Sequence, residues 1–211
     1  MKNWSEIFRS KVRAVAALVA DSAHDILHFE RVVKVAALLA KEEGAEWRVV
    51  EPAAWLHDLV IVPKNSPLRA QASRLSAEAA IQFLREESYP EEYFASIAHA
   101  IEAHSFSAGV APQTLEARVV QDADRLDALG AVGIARCFVT AGILQRPLYA
   151  ESDPFCDSRE PDDLKYTLDH FERKLLRLPA MMATVAGRRE GERRARVMRD
   201  YLAAFRLEIE S

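Results

Sequence analysis

The dipeptide His57-Asp58 joins the two side-chain types that most often bind a divalent ion or move a proton. His28 precedes it by about one helix. Asp124 follows in the run Gln121-Asp122-Ala123-Asp124-Arg125-Leu126-Asp127, a polar insert in an otherwise apolar stretch. A carboxylate turned into an apolar interior costs several kcal/mol unless it is paired or bound to a cation. Asp122 and Asp124 lie about 200° apart on a helix, so they do not face one point, whereas Asp124 and Asp127 nearly share a face. Two imidazoles and two carboxylates from three helices, His28, His57, Asp58 and Asp124, would make one divalent-metal site. Such donors suit Mn2+, Mg2+, Co2+, Ni2+, Fe2+ or Zn2+, and donor type alone does not choose among them. Taken alone, His57-Asp58 reads first as a C-terminal histidine favoured by the helix dipole beside a capping carboxylate, and Asp124 could pair with Arg125 or another cation.

Other residues could act around such a site. His104, at a helix end entering a loop, could bind a substrate phosphate or donate a proton to a leaving oxygen. Lys64, in an apolar loop after the His-Asp pair, could neutralise a phosphate oxygen. Arg31, three residues after His28, and Arg125, beside Asp124, could orient a ligand or bind phosphate. His24-Asp25 repeats the dipeptide, and His24 is an i,i+4 neighbour of His28; it reads as a rim residue rather than a ligand. His99 and His104 are five apart and project roughly 140° from one another, which argues against a complete second metal site. Tyr166, His170 and Lys174 share a late helical face that reads as ordinary amphipathic surface. The stretch Arg188–Arg199 is basic but interrupted by Glu190 and Glu192 and lacks interleaved aromatics, so a solvated helix with internal ion pairs is expected rather than a nucleic-acid patch. No G-x-S-x-G, P-loop or G-x-G-x-x-G sequence is present.

The positioning elements read as helices. The chain has 211 residues, 50% hydrophobic and 28% charged, with only 7 Gly and 9 Pro, so a mainly helical globular protein is favoured over a turn-rich β fold. A net charge of −4 removes the simplest support for wholesale nucleic-acid or membrane-surface binding. Two cysteines, Cys137 and Cys156, cannot build a disulfide framework and read as reduced thiols of a cytoplasmic protein. The apolar run Ala14–Ala20 is too short for a membrane span, and the N-terminus lacks the form of a signal peptide. Helices are expected from Asn3, from Ser22 to a stop at Gly44, over Glu46–Leu59, over Leu68–Glu87 after a Ser66-Pro67 start, from Pro90 to His104, and over Thr114–Leu129. An apolar, buried helix is expected over Ala131–Leu144. A surface excursion over Gln145–Glu160 precedes a helix over Pro161–Leu178, and a last helical stretch follows Pro179, interrupted near Gly187 and Gly191.

The order His28 … His57-Asp58 … Asp124 resembles the H…HD…D signature of the HD-domain metal-dependent phosphohydrolase superfamily. The strings HDILHFERV, AAWLHDLV, EAHSFS, QDADRLDALGAVGIAR and YTLDHFERKLL resemble an uncharacterised bacterial branch of it, over about residues 20–205. The resemblance implies an all-α helical bundle with the metal in its core, and assigns the ligands to His28, His57, Asp58 and Asp124. It implies a hydrolase that attacks a small phosphate ester, with nucleotides among the candidates, by metal-activated water, with Asp58, Lys64 and His104 as catalytic candidates and Arg31, Lys64, His104 and Arg125 as substrate-binding candidates. Relatives that hydrolyse alarmone nucleotides carry an acidic pair a few residues after the motif, where this chain has Ile61-Val62. The expected organisation is one domain over residues 1–211, with a metal-binding core at 20–130 and C-terminal helices at 145–211, and no nucleic-acid or membrane partner; a homo-oligomer is left open. Two alternatives stand beside this reading: a non-catalytic metal-containing regulatory module, and a di-iron oxygenase that would need ligation by His99 or His104.

Overall fold

Asn3 opens the first helix by accepting the Glu6 backbone N–H at 3.4 Å, the spacing expected of an N-cap, and α1 runs Trp4–Ala16. The computed structural model describes residues 2–17, 26–62 and 68–210. Beyond α1 these residues form α2 (Ile26–Glu43), α3 (Trp47–Leu56), α4 (Ala72–Glu86), α5 (Phe94–His104), α6 (Leu115–Asp127), α7 (Gly130–Ile143), α8 (Asp169–Arg173) and α9 (Val185–Glu210), with short 3-10 turns between. The described residues include no strand, which makes the chain all-α. No single helix among them is long and apolar enough to cross a membrane; α6 and α7 reach that length and hydropathy only together, bent by 66° at their break.

The chain forms two compact units, Met1–Asp124 and Arg125–Ser211. In the first, α3 is central and packs against α1, α2 and α5, while α4 packs on α5. Val49, Val50, Ala53, Ala54, Trp55 and Leu56 of α3 are all buried, so this helix is apolar nearly all round, as a core helix must be. α2 stops where expected: Gly44, at φ +78°, and Ala45 both return their N–H to the Ala40 carbonyl, at 2.9 and 3.0 Å. α3 is shorter than expected. Glu46 caps its start by accepting the Arg48 N–H at 2.9 Å, but the helix ends at Leu56 rather than Leu59. The Leu59 N–H turns back to the Leu56 carbonyl at 3.2 Å, and the Val60 N–H goes to Ser76 Oγ of α4 at 3.1 Å. His57 and Asp58 therefore sit at the exit of α3, where the backbone changes direction.

In the second unit α7 packs on α9, and α9 also packs on the 3-10 segment Leu175–Met181. The rings of Phe138, Phe171, Tyr201 and Phe205 form a chain with centroids 5.9–6.3 Å apart. Three expectations fail here. α7 is apolar but not buried: Val132, Val139 and Ile143 are 41%, 47% and 62% exposed. Apolar composition alone does not say which face is covered. The helix expected over Pro161–Leu178 shrinks to α8, because its backbone donors are used elsewhere. The Thr167 and Leu168 N–H groups reach the Pro147 and Leu148 carbonyls at 3.0 and 2.9 Å. The fully buried Asp169 takes the Asp162 N–H at 2.6 Å and both arms of Arg159 at 2.5 and 2.7 Å. Third, α9 runs through Gly187 and Gly191 without a break. A Cβ on Gly191 would lie 3.4 Å from Pro179 Cα, an ordinary contact distance, and the helix continues past this glycine. The shorter start of α4, at Ala72 rather than Leu68, follows a 3-10 turn over Arg69–Gln71; the Ser66-Pro67 start signal lies outside the described residues.

Candidate metal centre

Four helices of the first unit deliver side chains to one point. His28 comes from the first turn of α2, His57 caps α3, Asp58 is the next residue, His104 ends α5 and Asp124 lies on α6. His28 Nε2 and His57 Nε2 are 3.3 Å apart. Asp124 Oδ1 lies 3.7 Å from His28 Nε2 and 3.8 Å from His57 Nε2. Asp58 faces two ways: Oδ2 is 3.8 Å from His57 Nε2 and Oδ1 is 3.5 Å from His104 Nε2. The two rings nearest the centre are buried, at 1% and 0% side-chain exposure for His28 and His57, while Asp58 and Asp124 keep 21% and 29%. The cluster is thus closed behind the imidazoles and open on the carboxylate side. Phe29 closes part of the back, its ring centroid 5.2 Å from that of His57.

Hydrogen bonds fix which nitrogen faces the centre. A carbonyl only accepts, so His57 Nδ1 carries the proton that it shares with the Ala54 carbonyl at 2.9 Å. Burial draws the His57 pKa down to about 4, and the neighbouring carboxylates do not offset it. The ring is neutral at physiological pH and its Nε2 is a lone pair. His104 Nδ1–H is likewise committed to the Ile101 carbonyl, at 2.6 Å. Burial acts to lower the His104 pKa too, but the hydrogen bond to Asp58 and the charges of Asp58 and Asp124 raise it above the ordinary value. Burial would raise Asp124, yet the facing imidazoles of His57, His104 and His28 hold it below the usual carboxylate range.

The donor set fits a metal ion. Bonds near 2.1 Å put neighbouring ligand atoms about 3.0 Å apart and opposite ones about 4.2 Å. The separations of 3.3–3.8 Å around His57 and His28 lie between these. One ligand atom from each of His28, His57 and Asp58 lies within 4.8 Å of the others, a group that could hold a divalent ion.

The other candidates are placed as follows. Arg31 lies half-buried on α2, one turn beyond His28. Arg125 donates to the Met181 carbonyl at 2.7 Å. Lys64 and His24 lie outside the described residues. His99 stands away from the cluster in its bonding: its Nε2 accepts the Gln113 N–H at 3.0 Å. His170 pairs with Asp163 at 2.9 Å, and Lys174 is already out of α8. In the basic stretch, Arg193 and Arg194 are both held by Glu190 at 2.7 Å. One residue escaped the sequence reading. Gln121, one turn before Asp124, is buried and donates to the Ala103 carbonyl at 2.6 Å. The only signal for it was its place in the polar insert, which the neighbouring aspartates dominate.

An all-α core that gathers His, His-Asp and Asp at one point defines an HD domain, and the chain belongs to that family: residues 25–129 match the HD domain model. Among its relatives, the uncharacterised protein YpgQ of Bacillus subtilis is 33% identical over 192 residues, covering 89% of this chain and 85% of YpgQ. The crystal structure of YpgQ in complex with ADP has a TM-score of 0.75 at 34% identity and covers 97% of both chains. An HD-superfamily hydrolase from Bacillus thuringiensis has a TM-score of 0.76 at 32% identity over 99% of this chain and 97% of its own. The fold is that of the HD-superfamily hydrolases.

Proposed function

We propose that this chain is a divalent-metal-dependent phosphohydrolase that acts on a small phosphate ester of the nucleotide class. The observation that carries the reading is the convergence of His28, His57, Asp58 and Asp124, with two neutral-capable rings behind and two carboxylates on the open side. The ADP bound to YpgQ supports a nucleotide-type ligand for this chain. A bound divalent ion would lower the pKa of a water molecule and polarise a phosphoryl oxygen; His28, His57, Asp58 and Asp124 would hold it.

The chain's own residues supply the rest. Asp58 uses Oδ2 toward His57 and Oδ1 toward His104, so a proton taken up by the carboxylate can be exchanged with the His104 ring. His104 carries a proton on Nδ1 for the Ile101 carbonyl and presents Nε2 to the half-buried Asp58 carboxylate, from where a proton would pass to a leaving oxygen. Lys64, Arg31 and Arg125 are the candidate cations for phosphate oxygens. The test is a panel of nucleotides and other phosphate esters, each with Mn2+, Co2+, Ni2+ and Mg2+. Phosphate or pyrophosphate release by the wild type and its loss in Asp58→Ala are expected. Silence of the wild type on every substrate and metal, or full activity in Asp58→Ala, refutes the reading.

A further inference from the structure

Asp124 is carried by a helix with few close neighbours. Along α6 no extended close backbone approach to α1–α5 occurs among the described residues, in contrast to the tight pairs α2–α3 and α4–α5. Its side chains do reach the core: Ala117, Val119, Val120 and Ala123 are fully buried. Apolar contacts of this kind are non-directional and tolerate sliding and rotation better than a hydrogen bond does. Among the described residues a hydrogen bond from the Glu46 N–H to Glu116 at 3.2 Å ties the first turn of α6 to the start of α3, and a second directional link ties α6, one turn before Asp124, to the end of α5. The Gln121 amide is 4% exposed and its Nε2 donates to the Ala103 carbonyl at 2.6 Å.

Both ends of that bond bear on the cluster. Ala103 immediately precedes His104, in the last turn of α5, where carbonyls have no N–H four residues on to accept. The chain leaves the helix at Ser105, with ψ near 127°, so the carbonyl of Ala103 needs an outside donor. Gln121 stands three residues before Asp124, on nearly the same face of α6. The bond therefore fixes the gap between the helix that presents His104 to Asp58 and the helix that presents Asp124 to His28 and His57.

We infer that Gln121 is a positioning residue: it clamps α6 to the α5 terminus and thereby sets the distance at which Asp124 meets the two imidazoles. The inference rests on the metal-centre reading above. Without the amide donor the buried Ala103 carbonyl loses its partner and the middle of α6 loses its tie to the end of α5, so the Asp124 carboxylate shifts from the position an ion requires. Outer residues that orient metal ligands typically govern 10–100-fold in metal affinity.

The experiment measures Mn2+ affinity from the electron paramagnetic resonance signal of the free ion, which needs no turnover. Gln121→Met keeps the size and removes the donor. Val12→Ala, in the buried face of α1, is the control for lost stability without a change at the cluster. Gln121→Met is expected to weaken Mn2+ binding roughly 10–100-fold at unchanged helical content, while Val12→Ala, at a comparable drop in Tm, leaves the affinity within about twofold. Gln121→Asn keeps an amide that falls one methylene short; it carries the same expectation if the methionine variant does not fold. Wild-type affinity in the Gln121 variants, or an equal loss in Val12→Ala, overturns the clamp while leaving the metal centre standing. A wild type that binds no Mn2+ overturns both.

Discussion

His57 and His104 are held in the same way and face different surroundings. Each gives Nδ1–H to a carbonyl of its own helix, Ala54 or Ile101, and so aims Nε2 at the cluster. Burial keeps His57 neutral and a lone-pair donor, with its pKa near 4. His104, which faces an Asp58 oxygen at 3.5 Å, is raised instead. Roles follow from these environments and not from residue type. In the proposed centre His57→Ala is expected to lose the metal, whereas His104→Ala is expected to keep the metal and lose rate. The expected size is a roughly 100-fold fall in kcat, within the range for a general acid. Metal content and kcat measured on the same preparation separate the two; a His104→Ala protein that loses its metal assigns the residue to the ligand set.

At the scale of elements, α9 shows how a glycine pair can mislead. Gly187 and Gly191 read as an interruption, yet both are buried inside one 26-residue helix. A methyl on Gly191 would touch Pro179 Cα and the Met182 side chain at 3.4–3.5 Å, which is ordinary contact distance. Gly191→Ala is therefore expected to gain about 0.5–1 kcal/mol from helix propensity. Gly191→Leu, which must displace the Pro179 segment, is expected to lose stability; urea midpoints compare them. On the same helix, the hydrogen bond from Arg193, with Arg194 adding to it, pulls the Glu190 carboxyl down to about 2 against the opposing effect of burial. Since the folded-state pKa lies below the unfolded value, the group contributes stability that is complete above about pH 4.5 and is lost as pH falls toward about 2. The partly exposed pairs are worth about 1 kcal/mol together. Glu190→Gln should remove that amount at pH 7 and flatten the stability profile between pH 4.5 and 2, as urea titrations across that range will read.

For the whole molecule, the parts legible in the sequence are those where residue type and helical position decide the outcome. His28, His57-Asp58 and Asp124 stand out because polar ligands in apolar helices need an explanation. The caps at Asn3 and Gly44 are local chemistry. What escaped depends on the path of the chain between elements. The Arg159–Asp169 pair shortens the expected Pro161–Leu178 helix through a loop whose course no local pattern encodes. Val132, Val139 and Ile143 are apolar residues that lie exposed. Gln121 is unremarkable in any helix until Ala103 is seen beside it. An ion held by the cluster would tie these scales together, because it would bind the folded cluster and not the unfolded chain. Stripping it with a chelator is expected to lower Tm, by the equivalent of about 2.7 kcal/mol if the free ion stood at 100 times its Kd. Calorimetry with and without added Mn2+ reads the shift, and identical traces would contradict coupling of metal to the fold.

The most direct measurement is elemental analysis of freshly purified protein, wild type beside Asp58→Ala. Near one divalent ion per chain in the wild type and almost none in the variant is the predicted result. A wild type without metal, or an Asp58→Ala protein that keeps its ion, would contradict a centre built from His28, His57, Asp58 and Asp124.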